Sequence, residues 1–184
     1  MWLNFHRFDF QEQALLESLG RAIAVAQNFE SNCKYVLMIL EVENALERKQ
    51  YSSLREARPY VEKLLQLMLG GVVHRFGKSG EFSRAEIDTL VAAKDARNYV
   101  AHEAAFELVI CNGPFGPSLM DKVNRFEREV TNLTEGDGLV SLWSFYIQEH
   151  EPQPLSTISY PSDARTWVLE PLTRLGFSVP ESAH

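Results

Sequence analysis

Apolar residues recur at steps of three or four through most of this chain, and no convincing run of strand-like alternation interrupts them. Over residues 10–48, Leu15, Leu19, Ala22, Ala26, Phe29, Cys33, Leu37 and Leu40 keep that step with charged residues between them. The spacing predicts one long helix, or two that bend near Asn28 to Asn32. Residues 59–76 predict a second, with Pro59 in its first turn and Val61, Leu64, Leu65, Leu67, Met68, Val72 and Val73 as its apolar set. Gly70 and Gly71 either weaken its middle or let a neighbour pack closely. GKSG at 77–80 predicts a loop. Ser83 with Glu86 three residues later predicts a capping box that opens a helix over about 84–108. CNGPFGP at 111–117 predicts a break, and Ser118 with Asp121 caps a helix over about 119–133. EGDG at 135–138 predicts another break, followed by a short apolar helix from Leu139 to His150.

EPQP at 151–154 marks a boundary, beyond which only Ser162 to Leu169 predicts helix. The expected architecture is therefore an all-α bundle of long antiparallel helices over residues 1–150. Residues 151–184 form a short, irregular, proline-containing extension that packs on the body or on a partner.

Composition narrows the class. The chain has 184 residues, 45% hydrophobic and 23% charged, enough for one domain with a sizeable core. No apolar run approaches the roughly 20 residues that span a bilayer, and the first ten residues lack the apolar stretch of an export signal. Cys33 and Cys111 make neither a disulfide framework nor a zinc site, so a reducing cytoplasm is the expected compartment and a membrane is not an expected partner. The net charge of −7 argues against a long basic stripe for nucleic acid. DNA is not an expected partner, and any RNA site must be local.

One face of the 84–108 helix departs from the pattern. Ile87, Val91, Asp95, Asn98, His102 and Ala105 lie within an arc of about 80°. An apolar seam that turns to Asp, Asn and His halfway along is the kind of violation that favours functional sites. The alternative is a solvated stripe, with Ala92, Ala96 and Val100 facing the core instead. Arg97 lies about 100° round from Asn98, within reach of the same side through its long stem.

Arg97-Asn98-Tyr99-Val100-Ala101-His102 resembles the R-(polar)-x3-H signature of HEPN domains. A bare Arg-x4-His spacing carries little information; Asn directly after the Arg, on a predicted helix, sharpens it about tenfold. The surrounding order of helices over about residues 10–150 is similar to a HEPN body, and the tail is not covered. The resemblance implies an all-α homodimer whose motif helices meet across a two-fold, and a metal-independent endoribonuclease without a cofactor. It places His102 in the acid–base role, Arg97 on the phosphate, and Asn98 as orienter of the imidazole or phosphate ligand. Such chemistry suits those residue types: an imidazole exchanges protons near neutral pH, and a guanidinium is a fixed fork of donors. Lys94 and Asp95 are the candidate substrate-binding residues at the rim. Some HEPN toxins carry a tyrosine two residues after the His that a partner antitoxin modifies. Here that position is Ala104, so an antitoxin or other regulatory partner would have to act differently.

Three further features have plain structural readings. His74 and Arg75 suit a helix C-terminus. Trp143, Phe145 and Tyr146 suit a core or a dimer interface. Arg125 and Arg128 among Asp121, Glu127 and Glu129 suit a salt-bridged surface.

Overall fold

A computed structural model describes residues 10–110, 118–149 and 159–177. These form helices only: α1 (Phe10–Glu47), α2 (Leu54–Leu65), α3 (Leu69–Ser79), α4 (Arg84–His102), a π-helical turn (Phe106–Ile110), α5 (Leu119–Glu149) and α6 (Tyr160–Thr173). The expected breaks at 111–117 and 151–154, and Cys111, lie outside the described residues.

The predicted helix over 10–48 is one unbroken α1, and its apolar row from Leu15 through Phe29, Cys33 and Leu37 is buried. The predicted caps also form. Ser83 and Glu86 close a capping box, and Ser118 and Asp121 exchange side-chain-to-backbone hydrogen bonds at 3.2 Å each.

Other boundaries differ. The single helix expected over 59–76 is two, broken just before Gly70: α2 ends at Leu65, and Met68 is the N-cap of α3. Pro59 lies inside α2, which starts earlier on an N-cap from Ser53. The expected loop at 77–80 is mostly helix; α3 runs to Ser79 and stops on Gly80, whose φ of 76° suits glycine. The helix expected over 84–108 stops at His102 and resumes as the π-helical turn.

The largest difference is at EGDG, which does not break α5. Its residues are where neighbouring helices come closest. A Cβ on Gly136 would lie 2.2 Å from Ala93 Cβ on α4, and one on Gly138 would lie 2.5 Å from Pro161 Cγ on α6. Asp137 between them is fully buried; it accepts from Asn28 Nδ2 at 3.0 Å and from the Tyr160 hydroxyl at 2.5 Å. These glycines allow close contact rather than punctuate the chain.

Cross-helix pairs define the directions. Asn28–Asp137, Asn32–Ser141 and Tyr35–Gln148 ascend together, so α1 and α5 run parallel. Glu86–Trp143 and Glu107–Arg125 run in opposite order, so α4 is antiparallel to α5. The antiparallel expectation thus holds for α4 with α5 and fails for the two longest helices, because α4 is the return limb between them.

The tail is more regular than expected. α6 has 14 residues and buries Val168, Leu169 and Leu172 among α1 and α5. Pro171 inside it has no N–H for the Trp167 carbonyl one turn back. Arg21 of α1 donates to that carbonyl at 2.5 Å, and its guanidinium also pairs with Glu170 at 2.9 Å. The backbone group orphaned by proline thus adds a polar tie between α6 and α1 to the apolar packing.

At the other end of the core, Trp143 stacks on Phe82 with ring centroids 3.9 Å apart and donates to Glu86. It is a core residue; Tyr146 is about half exposed. No helix among the described residues is long and apolar enough to cross a membrane.

Candidate functional site on helix α4

α4 buries Leu90, Ala93, Ala96, Tyr99 and Val100 against its neighbours. The small Ala93 sits against Gly136, so α5 approaches closely on that side. The opposite face carries Val91, Asp95, Asn98 and His102, all exposed. The expectation of a core seam that turns polar is therefore corrected. The stripe is the solvated face, and Ala96 and Val100 point inward while Ala92 is half-buried. The apolar side of α4 is alanine-rich because close helix packing favours small residues there, and Ile87 and Val91 had disguised it.

The motif residues separate into two groups. Arg97 is turned toward α1, where its Nη2 donates to Glu30 Oε2. Its Nη1 donates to Asn98 Oδ1 at 3.2 Å. Lys34, one turn along α1 from Glu30, reaches the other carboxylate oxygen at 2.9 Å. Burial alone would raise the Glu30 pKa, but the hydrogen bond from Lys34 and the charge of Arg97 outweigh it and hold the carboxyl below its ordinary range. Within one chain, Asn98 therefore orients Arg97 rather than His102.

His102 is the last residue of α4 and exposed, with no hydrogen bond to its ring among the described residues. Lys94 and Asp95 pair with each other at 3.0 Å, Lys94 half-buried and Asp95 exposed.

Immediately beyond His102 lies a second charged cluster. Arg125 of α5 pairs with Glu103 at 3.1 Å and with Glu107 of the π-helical turn. Its guanidinium lies 4.3 Å from the centre of the Tyr99 ring, and the Tyr99 hydroxyl donates to Glu107 at 3.0 Å. Burial first, and then that hydrogen bond, push the Tyr99 hydroxyl well up, so it stays protonated. Tyr99 is a packing residue inside the motif, and Arg125 ties the end of α4 to α5 instead of forming a merely exposed face. Arg128 pairs with its neighbour Glu129 on the surface.

Sequence reasoning missed Glu30 and Lys34. The only local signal is their (i, i+4) spacing, which is ordinary for a helix surface; that they meet α4 is a property of the bundle. No family model matches the chain, and neither does any curated protein or solved structure compared with it.

Proposed function

We propose that the chain is a HEPN-type, metal-independent endoribonuclease acting as a homodimer in a defence, stress or toxin-like role. One observation carries the reading: Asn98 and His102 share an accessible face of α4, and Arg97 hydrogen-bonds to Asn98 at the edge of that face. A polar face outside the core is where a composite site between two copies would have to lie. Exposed Ala101, Ala105 and Phe106 adjoin it and supply apolar area for a second copy.

In this reading His102 takes the proton of a ribose 2′-hydroxyl, and the 2′-oxygen bonds to the adjacent phosphorus. The bond to the 5′-oxygen breaks, and that oxygen takes up a proton. Arg97 neutralises charge on the phosphorane. The products are a 2′,3′-cyclic phosphate and a 5′-hydroxyl.

The test is incubation of the protein with total RNA and transfer RNA in excess chelator, beside Arg97→Ala and His102→Ala variants that fold. Chelator-resistant cleavage with cyclic phosphate ends, lost in both variants, supports the reading. A second reading, a non-catalytic RNA- or protein-binding module, is favoured by the engagement of Arg97 with Glu30 and by the net charge of −7. It takes precedence if parent and variants are equally inert on every RNA.

A further inference from the structure

A groove of about 420 Å³ runs between α3 and α4. Its charged and titratable lining is His74 and Lys78 from α3 and Lys94 from α4, with no carboxylate. His74 and Lys78 form no ion pair among the described residues; Lys94 pairs with Asp95, which lies outside the lining. On a chain of net charge −7 this brings two lysine ammonium groups and an imidazole to one groove with no carboxylate in its lining.

The α3 wall is low where Gly70 and Gly77 face the groove. A Cβ on Gly70 would meet nothing within 4 Å, and one on Gly77 would meet only Ile87 at 3.7 Å. The α4 wall is a row of Ile87, Val91 and Lys94. Continued at helical spacing, this row reaches Asn98 and His102, each step rising about 6 Å or less. The groove therefore opens in line with the motif.

We propose that this groove binds the phosphodiester backbone of a single-stranded RNA whose scissile linkage lies at Arg97 and His102; the inference rests on the ribonuclease reading. Lys78 and Lys94 contact phosphates as compact charges, His74 adds a donor, and the glycines let the backbone approach. Ile87 and the exposed Val91 offer an apolar surface to a ribose or an unstacked base. That combination of charge and apolar wall suits a single strand, because a duplex keeps its bases stacked inside.

The probe is a short fluorescent single-stranded oligonucleotide, 2′-O-methylated throughout so that no 2′-hydroxyl can attack. Anisotropy titrations at several salt concentrations compare the parent, a Lys78→Ala/Lys94→Ala double variant, and Lys63→Ala. Lys63 is exposed on α2, outside the groove, and controls for the loss of one positive charge elsewhere. The expected result is roughly tenfold weaker binding by the double variant, with the log–log salt slope smaller by about 0.7 per lysine removed, and no change in Lys63→Ala. Cleavage by parent and His102→Ala is measured in parallel. If the parent binds and cuts, and the double variant matches it in both, the groove inference is overturned and the ribonuclease reading stands. If the double variant loses binding while the parent cuts nothing, the groove stands and the catalytic reading falls. A parent that ignores the probe, or binds a duplex as tightly, overturns the groove as a single-strand site.

Discussion

Glu30 on α1 accepts a hydrogen bond from Arg97 on α4, joining residues 67 positions apart. The guanidinium of the motif is thus aimed by a carboxylate outside it. Glu30, Arg97 and Lys34 each keep between a fifth and about a quarter of their side-chain exposure. Partial solvation limits the strength of the group. Glu30→Gln is expected to cost about 1 kcal/mol in urea unfolding. If Arg97 serves the chemistry, the same variant lowers cleavage with the fold retained. Because the folded carboxyl titrates below its ordinary range, its stabilisation is present above the unfolded pKa and is lost as pH falls through the depressed value. The difference in unfolding midpoint between parent and Glu30→Gln should therefore shrink on acidification; a difference that grows would refute this.

Asp137 shifts the other way. Burial raises its pKa despite hydrogen bonds from Tyr160, Asn28 and Asn32 that lower it. The folded state holds the proton more tightly than the unfolded chain. Stability from this group therefore falls as pH rises from the ordinary aspartate range through the raised value. Asp137→Asn removes that slope. Urea midpoints across the acid range should show the parent losing ground to the variant as pH rises, and parallel curves would contradict the shift.

Two glycines in helix interiors should respond oppositely to alanine. A Cβ on Gly136 meets Ala93 Cβ at 2.2 Å and Phe29 Cε2 at 3.3 Å. Ala93 has no rotamer by which to yield, so α4 and α5 must separate, and Gly136→Ala is expected to cost at least about 1–3 kcal/mol. Gly20 is exposed on α1 with nothing within 4 Å of its Cβ position. Gly20→Ala should stabilise by about 0.5–1 kcal/mol. Thermal melts of the two variants test the sign directly.

Helix α6 contributes to the core, so shortening the chain before Tyr160 should lower the melting temperature of the body. Leu169 and Leu172 are buried, and truncation of either to alanine is expected to cost about 2–5 kcal/mol. A body that melts unchanged without α6 would show that this helix is only docked.

The α4 helix shows how far a linear pattern carries. The capping box at Ser83 and Glu86 was legible because its partners are three residues apart. The stripe from Ile87 to His102 was legible as one face, since helical geometry alone puts those residues together. Which way that face points was not legible: Val91 is more apolar than Ala93 and Ala96, yet the alanines are buried and Val91 is exposed, while Ile87 packs on the core only partly buried. EGDG misled for the same reason. Glycine and aspartate usually mark a turn, and only the nearness of Ala93, Tyr160 and Pro161 makes them useful in mid-helix.

What the sequence by itself determined is the all-α class, the helical character of residues 10–48, the caps at Ser83 and Ser118, and the shared face of Asn98 and His102. These depend on interactions between residues a few positions apart. Only the tertiary structure decided that α1 and α5 run parallel, that Glu30 holds Arg97, that Asp137 is buried, and that Lys94 faces His74 and Lys78 across a groove. Each is a contact between distant segments, chosen by packing and hydrogen-bond satisfaction of the whole bundle, and no local period in the chain encodes it.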